Sequence, residues 1–376
     1  MKIVYCIRSL HNSGGMERVL TTKANYLADH MGYEVYIITR TNEGEPFFTL
    51  SPRIKVYNLQ AKTLKEFRKR LTATLFNIRP AISISLYGAE SHFLYKINDG
   101  SKKIIEFHFS KYYLTHLVNG IRTLKFRTLH RIKAWWLQKR EEQLARQYDK
   151  VILLTRQDLM LWGQKNNMCY IPNPLSFRST HVSALESKRI IAVGRFIAQK
   201  GFDLLIDAFA LIHKQYPDWS LDIYGEGQDH ELLNHKITSY SMQSQVRLLP
   251  PEKDIRQEFL NSSLLLFPSR YEGFGLVLTE AMECGLPCIA FDCECGPSEI
   301  IEDGITGYLV PVGDVKGLSE KMEQLITHPT LLHEMGENAR KAVKRFYPEN
   351  IMHSWELLFE ELMDCPHSQT QTRPLS

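Results

Sequence analysis

The pattern that most constrains this chain is a strand–helix alternation that runs through it twice. In the first round, short apolar runs at 3–7, 34–39, 54–59, 82–86, 103–107 and 150–154 read as strands. Segments of helical composition separate them at 17–30, 64–78 and 122–148, with another from about 156. The second round places strands at 189–193, 220–224, 246–249, 264–267 and 287–291, and helices at 201–215, 229–239, 276–284 and 315–327. Short apolar runs without polar alternation suit strands covered on both faces. Such strands separated by helices predict parallel, doubly wound sheets, so the expected class is α/β with two Rossmann-like domains facing a cleft. Length agrees, because 376 residues exceed one ordinary core. Tyr170-Ile171-Pro172-Asn173-Pro174 punctuates the two rounds, and a linker is expected over about 172–185. The expected domains are 1–172 and 173–348, followed by an amphipathic helix in 349–365 and a polar, disordered tail in 366–376.

The overall charge of +4 conceals an asymmetry. Residues 1–172 carry 28 basic against 13 acidic residues, and the remainder 18 against 29, nets of +15 and −11. Domains of opposite sign imply different partners. The opening run at 3–7 is too short for a secretion signal and no cleavage site follows it. No stretch approaches the ~20 apolar residues of a membrane span. A cytoplasmic location is therefore expected. Seven cysteines, an odd number without such a signal, argue for reduced thiols. Cys284, Cys288, Cys293 and Cys295 cluster, but their spacing follows no common zinc pattern and Cys288 falls in an apolar strand.

Residues suited to chemistry lie in the loops after strands, where parallel sheets bind ligands. Glu272 and Glu280 stand eight positions apart around Gly273-Phe274-Gly275-Leu276. Glu272 falls in a strand-to-helix loop and Glu280 about one turn inside the helix. The glycines let backbone approach a ligand, with free helix N–H groups behind them. Gly14 and Gly15 open the first helix after the first strand and suit a diphosphate in the same way, although no full Gly-x-Gly-x-x-Gly is present. Gly194-Arg195 and Lys200-Gly201 flank a loop whose two cations can stabilise the charge on a leaving diphosphate. His108 ends a strand at the position where a substrate could be met. Tyr224-Gly225-Glu226-Gly227 is a tight turn with a shaping role, and Asp292-Cys293-Glu294 is the nearest approach to a metal-binding Asp-x-Asp.

Glu-x7-Glu in this setting, with Gly-Arg-x4-Lys-Gly, resembles the family 4 retaining glycosyltransferases, which have the two-domain GT-B fold. Gly296-Pro297-Ser298-Glu299 and the 303–310 stretch also match that family. The resemblance covers nearly the whole chain, best over 190–312. It implies transfer of a hexose or N-acetylhexosamine from a nucleotide-diphosphate donor, more often UDP-linked, to a saccharide or lipid-linked saccharide. It implies no metal and no cofactor beyond the donor. By the same resemblance Arg195 and Lys200 hold the diphosphate, Glu272 and the backbone of Gly273, Phe274, Gly275 and Leu276 hold the sugar, and Glu280 binds the ribose. Gly14 and Gly15 touch the donor phosphate and sugar, and His108 contacts the sugar. The terminal helix is expected to cross back to the first domain. Surface-polysaccharide or glycolipid assembly is the implied setting.

The stretch 122–140 interleaves seven Lys and Arg with aliphatic residues, Trp135 and Trp136. A basic helix with tryptophans suits an anionic membrane surface, and a solvated face with one tryptophan packed inside fits as well. Nucleic acid is not expected as a partner, given the sugar-site motifs. Two rivals remain: a nucleotide-sugar epimerase of the same fold, and a non-catalytic basic protein of the membrane surface.

Overall fold

The computed structural model describes residues 1–41, 44–119 and 127–364. The tail 366–376 and the first part of the basic stretch, up to 126, lie outside them.

Among the described residues, thirteen strands build two sheets. The first contains β1 (Lys2–Ile7), β2 (Glu34–Thr39), β3 (Lys55–Asn58), β4 (Ile82–Ser85), β5 (Lys102–Glu106), β6 (Lys150–Leu153) and β7 (Met168–Tyr170). Its strands run parallel in the order β3-β2-β1-β4-β5-β6-β7. The second contains β8 (Arg189–Val193), β9 (Ser220–Tyr224), β10 (Val246–Leu249), β11 (Leu264–Phe267), β12 (Cys288–Phe291) and β13 (Gly307–Val310). It too is parallel, in the order β10-β9-β8-β11-β12-β13. Strand order reverses beside β1 in one sheet and beside β8 in the other, and a ligand crevice opens outside the carboxyl ends at such a point.

Burial explains the parallel pairing. Ile3, Val4, Tyr5 and Cys6 of β1 and every residue of β11 are shielded on both faces, as helices crossing over both sides of a sheet require. Each fully buried Ile, Leu or Val contributes about 1.5–3 kcal/mol.

Helix Pro348–Asp364 joins the two halves. Its Trp355, Leu358, Phe359 and Leu362 share one core with Leu20, Ala24 and Leu27 of helix Gly15–Asp29 and with the interior of the second sheet. The Phe359 ring meets Tyr33 at 6.3 Å between centroids, and Glu361 accepts from Lys150 at 2.8 Å. The opposite face of the first sheet has a separate core under helix Leu64–Ile78.

Several elements differ from expectation. The helix expected over 201–215 ends at Ala210, where the chain tightens into Leu211→Ala208 and Ile212→Phe209 backbone bonds ahead of Pro217. The helix expected over 122–148 is Arg127–Ala145, preceded by a separate helix Tyr113–Asn119. Strands β7 and β13 and helices Ile255–Leu260, Pro297–Ile300 and Pro329–Ala342 were not anticipated.

Candidate active site

The loops leaving β1, β5, β8 and β11 supply the site. After β8, Gly201 has φ +67°, and a Cβ there would sit 2.0 Å from the Pro268 carbonyl oxygen. Only glycine lets these two loops touch, and their contact brings Lys200 onto the β11 loop. Lys200 Nζ donates to Glu272 Oε1 at 2.6 Å. Sequence reasoning gave these two side chains separate ligand roles; the structure pairs them directly. Arg195 is exposed near Tyr271. Burial, then Glu272, pushes the Tyr271 hydroxyl up, and the Arg195 charge opposes that push.

Glu272 is 8 % exposed. Next to it, a Cβ on Gly273 would lie 2.2 Å from the His108 carbonyl oxygen and 3.1 Å from the Phe109 Cα. Gly273 was expected to admit a ligand to its backbone. In the structure, its missing side chain admits the other domain. Gly275, at φ +100°, caps helix Leu276–Glu283, and no side chain bonds to the helix start. The Leu278 N–H turns back to the Gly275 carbonyl at 2.9 Å, which leaves the N–H groups at the very start of the helix, at Leu276 and Val277, for a ligand. Phe274 is buried with its ring edge-on to Phe346 at 5.5 Å, so its backbone alone is available to a sugar.

Glu280 is 2 % exposed inside that helix. Its Oε1 accepts from Arg18 Nη1 at 2.6 Å and from Ser176 Oγ at 2.5 Å. Arg18 belongs to helix Gly15–Asp29, whose Gly14 N-cap provides no side-chain hydrogen bond. A Cβ on Gly15 would meet nothing within 4 Å, so open space adjoins that helix start. The Arg18–Glu280 pair also borders a groove of about 410 Å³ between the domains, lined by Phe48, Phe177, Lys253 and Ile255 among others.

His108 lies beneath this loop cluster with its side chain 7 % exposed. Burial, reinforced by the Lys23 charge, pushes its imidazole down from 6.5 to about 3, so it is neutral at physiological pH.

Four contributors escaped sequence reasoning: Arg18, Ser176, Tyr271 and His116. The His116 ring stacks on Tyr271 with centroids 5.2 Å apart, and its Nε2 stands 3.5 Å from Glu294 Oε1. Arg18 follows the Gly14-Gly15 signal by one helical turn and could have been nominated from it; His116 carries no local signal.

Around the cysteine cluster, burial pushes the Cys284 thiol up to about 12 and raises Cys288, Cys293 and Cys295 well above the ordinary thiol value. No group of three potential metal ligands occurs among the described residues. Asp292 is exposed at the end of β12. On helix Arg127–Ala145 neither tryptophan is packed inside: Trp135 and Trp136 are 58 % and 59 % exposed, while Ala134, Gln138 and Glu141 face the core. No helix among the described residues is long and apolar enough to cross a membrane.

Residues 176–342 match the family described as Glycosyl transferases group 1. The chain is 30% identical over 373 residues to an uncharacterized glycosyltransferase of Haemophilus influenzae, covering 94% of this chain and 99% of that protein. It is 29% identical over 362 residues to the amylovoran biosynthesis glycosyltransferase AmsD of Erwinia amylovora, covering 94% and 98%. Among solved structures, a mutant of S. aureus TarM in complex with fondaparinux, alpha-GlcNAc-glycerol and UDP superposes with a TM-score of 0.78 at 18% identity, covering 95% and 99%. That likeness is one of fold, the GT-B arrangement of two facing Rossmann-like domains. With a full-length relative at 30% identity and a family match across its second domain, the chain belongs to the glycosyl transferases group 1.

Proposed function

We propose that this chain is a retaining glycosyltransferase. It moves a hexose or N-acetylhexosamine from a UDP-linked donor to a saccharide or lipid-linked saccharide acceptor, in surface-polysaccharide or glycolipid assembly. The observation that carries this reading is the convergence of Lys200, Glu272 and the His108 backbone between the two sheets. The UDP in the TarM complex and the amylovoran biosynthesis of AmsD support the donor and the setting.

In this reading Arg195 and Lys200 bind the diphosphate and stabilise the charge that grows as the glycosidic bond breaks. An ammonium has three donors, so Lys200 can keep Glu272 while it meets a phosphate oxygen. The backbone of Gly14 and Gly15 adds N–H groups to the same diphosphate. Glu272, the N–H groups of 273–276 and His108 grip the sugar. Glu280 uses its second oxygen for the ribose, the first being held by Arg18 and Ser176. The C1–phosphate bond breaks while the acceptor oxygen bonds C1 on the same face, and the departing phosphate takes the acceptor proton. Metal is not required, since Arg195 and Lys200 carry the countercharge.

The reading includes a cytoplasmic location and peripheral contact with anionic lipid. Ile132, Trp135 and Trp136 form an exposed stripe with Arg131, Lys139 and Arg140.

A panel of nucleotide sugars screened by thermal shift should single out the donor, because a ligand that binds only the folded state raises its apparent stability. Transfer from that donor should fall to background in the Arg195→Ala/Lys200→Ala variant. Unimpaired transfer by that variant, or rapid C2 epimerisation of a UDP-sugar without acceptor, would sink the proposal. For the lipid contact, Trp135→Ala/Trp136→Ala should reduce flotation with phosphatidylglycerol vesicles; equal flotation of both proteins excludes it.

A further inference from the structure

Behind His108 the first domain buries an ion pair that the proposed chemistry does not use. Lys23, on helix Gly15–Asp29, is 1 % exposed, and Glu106, the last residue of β5, is fully buried. Lys23 Nζ donates to Glu106 Oε2. The Trp355 ring of the crossing helix covers Nζ at 4.5 Å and the Tyr5 ring lies 5.6 Å from it, so the pair is sealed from solvent by both halves of the molecule.

Two further facts tie this pair to His108. Glu106 Oε2 stands 3.6 Å from His108 Nε2. Both His108 Nε2 and Glu106 Oε1 are buried without a hydrogen-bond partner, as are Tyr5 Oη and Trp355 Nε1. An imidazole nitrogen and a carboxylate lie next to each other, both buried, a few tenths of an ångström beyond bonding distance. Such contacts commonly tighten when a ligand fills the site. Stability alone does not account for a buried ion pair, since apolar residues of equal volume serve a core as well or better.

We propose that Glu106, held in place by Lys23, is a positioning residue for His108. Glu106 accepts from His108 Nε2–H, fixes the ring's orientation and tautomer, and leaves the Nδ1 lone pair to accept a hydroxyl of the donor sugar. The inference rests on the proposed reading that His108 meets that sugar.

A double-mutant cycle on the full-length protein tests it, with kcat, donor KM and UDP affinity measured for Glu106→Gln, His108→Ala and the combination. Glu106→Gln should lower kcat by about 10- to 100-fold, the range known for partners that orient metal-binding histidines. UDP affinity should be unchanged, and adding Glu106→Gln to His108→Ala should cost nothing more. Because removing one partner of a buried pair can unfold a protein, Lys23→Met/Glu106→Leu is the second variant. It should fold with a near-native Tm and show the same fall in kcat. Equal losses from Glu106→Gln with and without His108, or full activity in the folded apolar variant, would overturn the inference alone. Full turnover by His108→Ala would overturn it together with the reading of His108.

Discussion

At the scale of single residues, the two glutamates of the β11 loop and its helix hold different positions. Glu272 is tied to a cation of its own domain and Glu280 to one from the opposite domain. Under the proposed reading, Glu272→Ala removes a sugar contact as well as the carboxylate that Lys200 holds, whereas Glu280→Ala leaves the reacting end of the donor intact. Transfer rates should therefore fall further in Glu272→Ala, and equal or reversed losses would refute that division. Gly273 allows a steric test. A methyl group there collides with backbone, not with a flexible side chain, so relief requires the domains to separate. Gly273→Ala should abolish most transfer while each domain stays folded, visible as lost activity with retained circular dichroism and an enlarged radius in small-angle scattering. A compact, active variant would show that the approach of the two loops is not needed.

His108 also links the site to pH. Its folded pKa, about 3, lies below the ordinary 6.5, so the unfolded chain binds the extra proton between those values. The stability it contributes is complete above about pH 6.5 and is lost as pH falls towards 3, at up to about 1.4 kcal/mol per pH unit. Urea melts at pH 7 and pH 5 should show this loss in the parent protein and less of it in His108→Asn; identical slopes would contradict the burial effect.

At the scale of elements, the crossing helix Pro348–Asp364 is the part whose removal matters most. Trp355 is buried between the two halves and caps Lys23. Trp355→Ala should cost about 3–5 kcal/mol, read as a lower urea midpoint, and should impair transfer at temperatures where the fold persists. Most strands readable in the chain are central ones, where four apolar residues follow one another, as in β8 and β11, and the edge strands β3 and β10 were read as well. β7 and β13 are edge strands, defined by pairing on one side only. β7 has three residues just before a proline pair, and β13 begins at a glycine, so neither stands out by composition. Helix Pro329–Ala342 follows the preceding helix after a single residue, His328, which blurs the boundary between them.

At the scale of the whole molecule, the chain by itself determined two rounds of strand and helix, and hence two parallel sheets with functional loops at their carboxyl ends. The reason is local: burial on both faces imposes an apolar run, and a crossover imposes a helix, within a few tens of residues. Glu272, Glu280, Lys200 and Gly14 were legible for the same reason, each being set beside a strand end or helix start. What only the tertiary structure decided is which groups meet across the cleft. Lys200 turns to Glu272 because Gly201 and Pro268 touch; Arg18 reaches Glu280, and Gly273 lies against His108, because the crossing helix fuses the two cores. Those contacts join residues more than 150 positions apart in the last two cases. No periodicity encodes them, since they depend on how two rigid bodies are placed by one shared hydrophobic interior.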